Sequence, residues 1–114
     1  MSSGKHNLNI EQGASFSVQF TWKDGEHNPI DLTDYSAKLQ IRASKEATAI
    51  IHEADDSDGL VLGGEAGTIL FTIPTADTTD FTFDNAVYDL ELTLNGETTR
   101  LIEGRVFLSK EVTK

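Results

Sequence analysis

Ser15-Phe16-Ser17-Val18-Gln19-Phe20-Thr21-Trp22 alternates polar and apolar side chains without a break. A repeat of two sends Phe16, Val18, Phe20 and Trp22 to one side and Ser17, Gln19 and Thr21 to the other. That is the pattern of a half-buried strand and not of a helix. Lys23-Asp24-Gly25-Glu26-His27-Asn28-Pro29 then stops the run, because Asp-Gly and Asn-Pro are turn-forming pairs.

The same rhythm returns along the chain. Over residues 37–43, Leu39 and Ile41 oppose Lys38, Gln40 and Arg42. Ile69, Phe71 and Ile73 share one face until Pro74 ends the strand. Over residues 87–94, Tyr88, Leu90, Leu92 and Leu94 oppose Asp89, Glu91 and Thr93. Asn95-Gly96 joins this strand to another over 98–102, and both turn residues tolerate the positive φ of a tight hairpin. Shorter strands are predicted over 48–52, over Leu60-Val61-Leu62 and over 105–109, with a bulge at Gly104. Gly63-Gly64-Glu65-Ala66-Gly67 reads as a wide hairpin turn. Residues 75–80 read as one helical turn, with Thr75 as its cap and Asp77 early in it.

About seven to eight short strands without a long helical period predict an all-β fold, an antiparallel β-sandwich or small barrel. A ferredoxin-like α+β fold would need two helices of about 12 residues, and no segment has that period. At 114 residues the chain is one domain. The expected limits are a flexible N-terminal tail over 1–6, the sandwich over 7–112 and a flexible C-terminus over 113–114.

Composition narrows function. Nineteen acidic residues against nine basic ones give a net charge of −10. Such a chain repels phosphate, which excludes nucleic acid as a partner and disfavours anionic membrane surfaces. No apolar run approaches the roughly 18 residues of a membrane span, and residues 1–5 lack the apolar core of a secretory signal. With no cysteine, disulfides, thiolate metal sites and cysteine nucleophiles are absent together, which fits assembly in a reducing cytoplasm.

Each candidate chemical site has a plainer reading. Setting Gly59 at position six of a calcium loop puts Asp56 at three, Asp58 at five and Glu65 at twelve. Position one is then Ala54, and no helices flank the loop, so a solvated acidic turn is expected. His6, His27 and His52 are too scattered for a zinc site. Asp89 and Glu91 share a strand face and invite an acid–base reading. Binary patterning explains them equally, with Lys38 or Arg42 as neutralising neighbours. Lys38, Arg42, Asp89 and Glu91 are also expected to guard sheet edges. Trp22 is expected in the core and not as a sugar platform. No nucleophile motif or phosphate loop is present. The expectation is a protein without catalytic residues, cofactor or metal.

One set of residues points further. Asn9-Ile10-Glu11-Gln12-Gly13, then Phe16 to Trp22-Lys23-Asp24-Gly25, Pro29-Ile30-Asp31-Leu32-Thr33-Asp34-Tyr35-Ser36-Ala37 and Leu39-Gln40-Ile41-Arg42 resemble small structural proteins of tailed bacteriophages and prophages. Tyr88-Asp89-Leu90-Glu91-Leu92 and Leu101-Ile102-Glu103-Gly104-Arg105-Val106 continue the likeness, which runs from about residue 8 to 112. More loosely, the chain is similar to the immunoglobulin-like N-terminal domain of phage baseplate upper proteins. The resemblance implies an immunoglobulin-like sandwich and a non-enzymatic virion part at the tail tip, baseplate or fibre attachment. It further implies assembly in the host cytoplasm, docking to other virion proteins and a homo-oligomeric or symmetric arrangement. A carbohydrate- or receptor-binding module and a head decoration protein are the alternatives.

Overall fold

A strand with one apolar face must lay that face against another layer. The chain does so with two sheets. The structure is a computed structural model and describes residues 4–112. Its strands are β1 (Gly4–Lys5), β2 (Leu8–Glu11), β3 (Phe16–Thr21), β4 (Ser36–Arg42), β5 (His52–Asp55), β6 (Leu60–Leu62), β7 (Thr68–Ile73), β8 (Asn85–Leu94) and β9 (Glu97–Ser109). A 3-10 turn, Gly64–Ala66, joins β6 to β7, and a single short helix, α1 (Thr75–Thr79), precedes β8. The larger sheet runs β1-β9-β8-β4-β5, with β2 also on β9. The smaller runs β3-β7-β6. In the lettering of immunoglobulin sandwiches these are G-F-C-C′ and B-E-D, with the N-terminal strands on G.

The core is what the alternation requires. Leu8 and Ile10 of β2, Leu39 and Ile41 of β4, Leu90 and Leu92 of β8 and Val106 of β9 are buried from the larger sheet. Phe20, Ile69, Phe71, Ile73 and Leu60 meet them from the smaller one. Phe16, Val18 and Trp22 pack on this core while half-buried, because β3 is an edge strand. Asn95 at φ 52° and Gly96 at φ 82° close the β8–β9 hairpin as their residue types predict.

Several local expectations are corrected. The strand predicted over 48–52 lies later, at His52–Asp55. Arg42 Nη1 donates to the Ala47 carbonyl (2.7 Å) and holds the preceding stretch as a loop, with Ile50 exposed. The bulge is not at Gly104. Leu90 pairs with Ile102 and Glu91 with Arg100, so Leu101 is the extra residue. Thr75 does not cap α1. Pro74 holds the N-cap position, and no side chain bonds there. β1 and β2 run parallel to β9, a departure from an all-antiparallel sandwich. Gly4 and Lys5, expected in a loose tail, form β1, and the His6 amide donates to the Glu103 carbonyl. Residues 1–3 and 113–114 of the two expected flexible ends lie outside the described residues. Lys38, Arg42, Asp89 and Glu91 cannot guard edges, because β4 and β8 are interior strands.

Candidate functional site: a charged groove on the outer sheet face

The polar positions of β4, β8 and β9 face away from the core and form rows across the larger sheet. Lys38, Glu91 and Arg100 stand side by side; so do Gln40, Asp89 and Glu103, and then Arg42, Val87 and Arg105. Strand pleating alone would put Arg100 and Glu103, three residues apart, on opposite faces. The bulge at Leu101 absorbs one residue and brings both to the outer face, where they lie 3.9 Å apart.

These rows line a shallow groove of about 760 Å³. Lys5, Lys38, Arg42, Lys45, Arg100 and Arg105 all line it, six of the nine cations of the chain. Among the described residues, Asp89, Glu91 and Glu103 oppose them there. The groove therefore carries a surplus of three positive charges on a chain of net charge −10, and the remainder carries −13.

Ion pairs organise the floor. Glu103 receives Lys45 Nζ at 3.1 Å and Lys5 Nζ at 3.9 Å, and Arg100 Nε reaches Asp89 at 3.5 Å. Arg42 is held by the Gln40 side-chain oxygen at 2.8 Å and 3.2 Å and by the Ala47 carbonyl. Lys38 and Arg105 are exposed and make no ion pair within 4 Å among the described residues. Exposed pairs of this kind contribute under about 1 kcal/mol each. The row pattern is therefore a statement about surface potential more than about stability.

The carboxylates singled out from the sequence fall into different places. Asp89 and Glu91 share this face as expected, and Arg100, not Lys38 or Arg42, makes the ion pair to Asp89. Asp56 Oδ1 accepts the Ala37 amide (3.1 Å) at the start of β4. Asp58 lies in the β5–β6 turn, where its carbonyl accepts the Asp55 amide (2.9 Å). Glu65 lies beyond β6 in the 3-10 turn, on the other sheet. The twelve-residue calcium spacing is thus a turn, a strand and a second turn. Among the described residues, no three His, Asp or Glu side chains gather as a metal site would need. Asp55, which the calcium alignment passed over, is the turn's organiser. Its Oδ1 accepts from the Ser57 hydroxyl and amide. These bonds first, and Lys38 more weakly, hold its carboxyl below the ordinary value.

The three histidines also stand apart. His6 meets the Phe20 ring edge-on at 6.0 Å, His27 sits in a turn at φ 67°, and His52 packs on Phe71 and Phe81. Trp22 is half-buried and edge-on to Tyr35 at 5.6 Å. The cationic character of the groove escaped the sequence reading. Its one local sign was that Lys38, Gln40 and Arg42 alternate with core residues.

The family model described as LtfC-like, beta-sandwich domain matches residues 3–109, nearly the whole chain and every strand of both sheets. No curated protein matches the chain.

Proposed function

This chain belongs to the LtfC-like family of β-sandwich domains, and from that membership we propose that it is a structural module of a phage tail, acting by docking to other virion proteins. LtfC is a phage tail-fibre-related protein, and the match spans the whole sandwich; that observation carries the proposal. Its setting is the tail tip, baseplate or fibre attachment, with assembly in the host cytoplasm before incorporation into the virion.

The role needs no catalysis. Asp89 and Glu91 lie on an open sheet face beside Arg100, a setting that suits surface complementarity better than proton transfer. Flat faces and interior charged rows are surfaces that another protein can read.

Immunogold electron microscopy on purified particles, with antibody to this chain, tests the reading. Gold at the tail is the expected result. Gold on the capsid would replace it with head decoration, and particles without gold would remove the virion role.

A further inference from the structure

The geometry points to a second copy of this chain as the occupant of the outer-face groove, docked head to tail by its acidic loop end. This deepens the docking role proposed above and takes its biological setting from it. The groove gathers six of the nine cations. The complementary surface lies at the end of the sandwich where β3 passes to β4. There the amide of Leu32 donates to the Gly64 carbonyl (2.9 Å) and Ile30 to Trp22, so the β3–β4 connection and the β6–β7 turn pack together. The β8–β9 hairpin ends at the same level, since Ser36 pairs with Thr93. Asp24, Glu26, Asp31, Asp34, Glu65 and Glu97 are all exposed at this end, opposed among the described residues by Lys23 alone.

Symmetry selects the mode of contact. A two-fold contact through the groove would lay one positive surface on its own copy. A head-to-tail contact lays the acidic end of one copy on the basic groove of the next. The molecule is elongated, 45 Å by 27 Å by 24 Å. Such a contact repeats and gives a ring where the rotation closes. Within the groove Lys38, Arg42 and Arg105 make no ion pair within 4 Å among the described residues; Arg42 is oriented by Gln40 and Ala47, while Lys38 and Arg105 are exposed.

Sedimentation equilibrium on the full chain at low salt (about 20 mM) and high salt (about 500 mM) reads the contact. Association that weakens at least roughly tenfold in high salt is expected. Lys38→Glu with Arg105→Glu should abolish it, and so should Glu26→Lys with Asp34→Lys. Mixing these two double variants should restore a 1:1 pair, because each brings one intact half. Lys38→Gln with Arg105→Gln serves if the reversed charges disturb folding, which circular dichroism checks. A monomer at every salt concentration, or no pairing on mixing, overturns the proposal. Tails that carry the chain while the purified protein stays monomeric would overturn self-docking alone. Self-association with no gold on particles would overturn only the tail reading.

Discussion

The Tyr88 hydroxyl donates a 2.6 Å hydrogen bond to the backbone carbonyl of His6, a residue 82 positions earlier in the chain. Tyr88 is buried on β8, and burial raises its hydroxyl well above the ordinary value of 10, so it remains a donor at every physiological pH. The bond ties the N-terminal segment, which runs parallel along β9, to the centre of the larger sheet.

Tyr88→Phe should therefore destabilise the fold by about 1 kcal/mol, the usual net value of one such bond plus the unsatisfied carbonyl left behind. Denaturant unfolding measures it. Hydrogen exchange should speed selectively at the amides of β1 and β2. Uniform exchange changes across the sheet would show that the bond does not anchor this segment.

Gly104 stands opposite Tyr88 on β9, and a Cβ there would come within 2.1 Å of the same His6 carbonyl oxygen. No real Cβ contact is that short, so Gly104→Ala must push the backbone of the N-terminal segment away. A loss of about 1–3 kcal/mol is expected in unfolding experiments. Gly25→Ala is the control, since a Cβ at Gly25 meets nothing within 4 Å. It should stay within about 0.5 kcal/mol of the parent. Equal effects at the two glycines would exclude the steric explanation.

Phe20 is 5% exposed and reaches from β3 into the core against the edge of His6. Phe20→Ala should cost about 3–5 kcal/mol, as for other buried aromatics. Val61, 63% exposed on edge strand β6, should tolerate Val61→Thr within about 0.5 kcal/mol. A chemical melt in which Phe20→Ala loses under about 1 kcal/mol would reverse the facing of β3.

His52 titrates below its ordinary value of 6.5 because it is half-buried against Phe71 and Phe81; Asp77 and Asp58 pull more weakly the other way. Its folded value lies below its unfolded value. The stability it contributes is therefore complete above pH 6.5 and is lost as pH falls through the folded value. His52→Gln should remove that part of the acid sensitivity. Melting temperatures of both proteins across about pH 7 to 5 measure the difference. An NMR midpoint for His52 at or above 6.5 contradicts the burial argument.

What could be read without coordinates was whatever depends on neighbours in the chain. Alternation is a local consequence of the pleat, so the core faces of β3, β4, β7 and β8 were legible in their residues. The Asn95-Gly96 turn was legible because few residue pairs accept two positive φ angles in succession. Failures came where a contact outside the strand's own alternation decided the outcome. Residues 48–51 have strand-like composition, but the Arg42 side chain takes the Ala47 and Thr48 carbonyls at the start of that stretch. Gly104 looked like a bulge residue, yet its lack of a side chain serves the approach of His6.

The amino-acid order by itself determined a sandwich of short strands, its inward-facing residues and its acidic charge, because each follows from composition or from spacing of a few positions. Tertiary structure alone decided that Lys5, Lys38, Arg100 and Arg105 share one groove. They come from three strands, β1, β4 and β9, and a single extra residue at Leu101 sets which side Arg100 occupies. Strand register between segments 60 or more residues apart is a property of how whole sheets pack, and no local pattern encodes it.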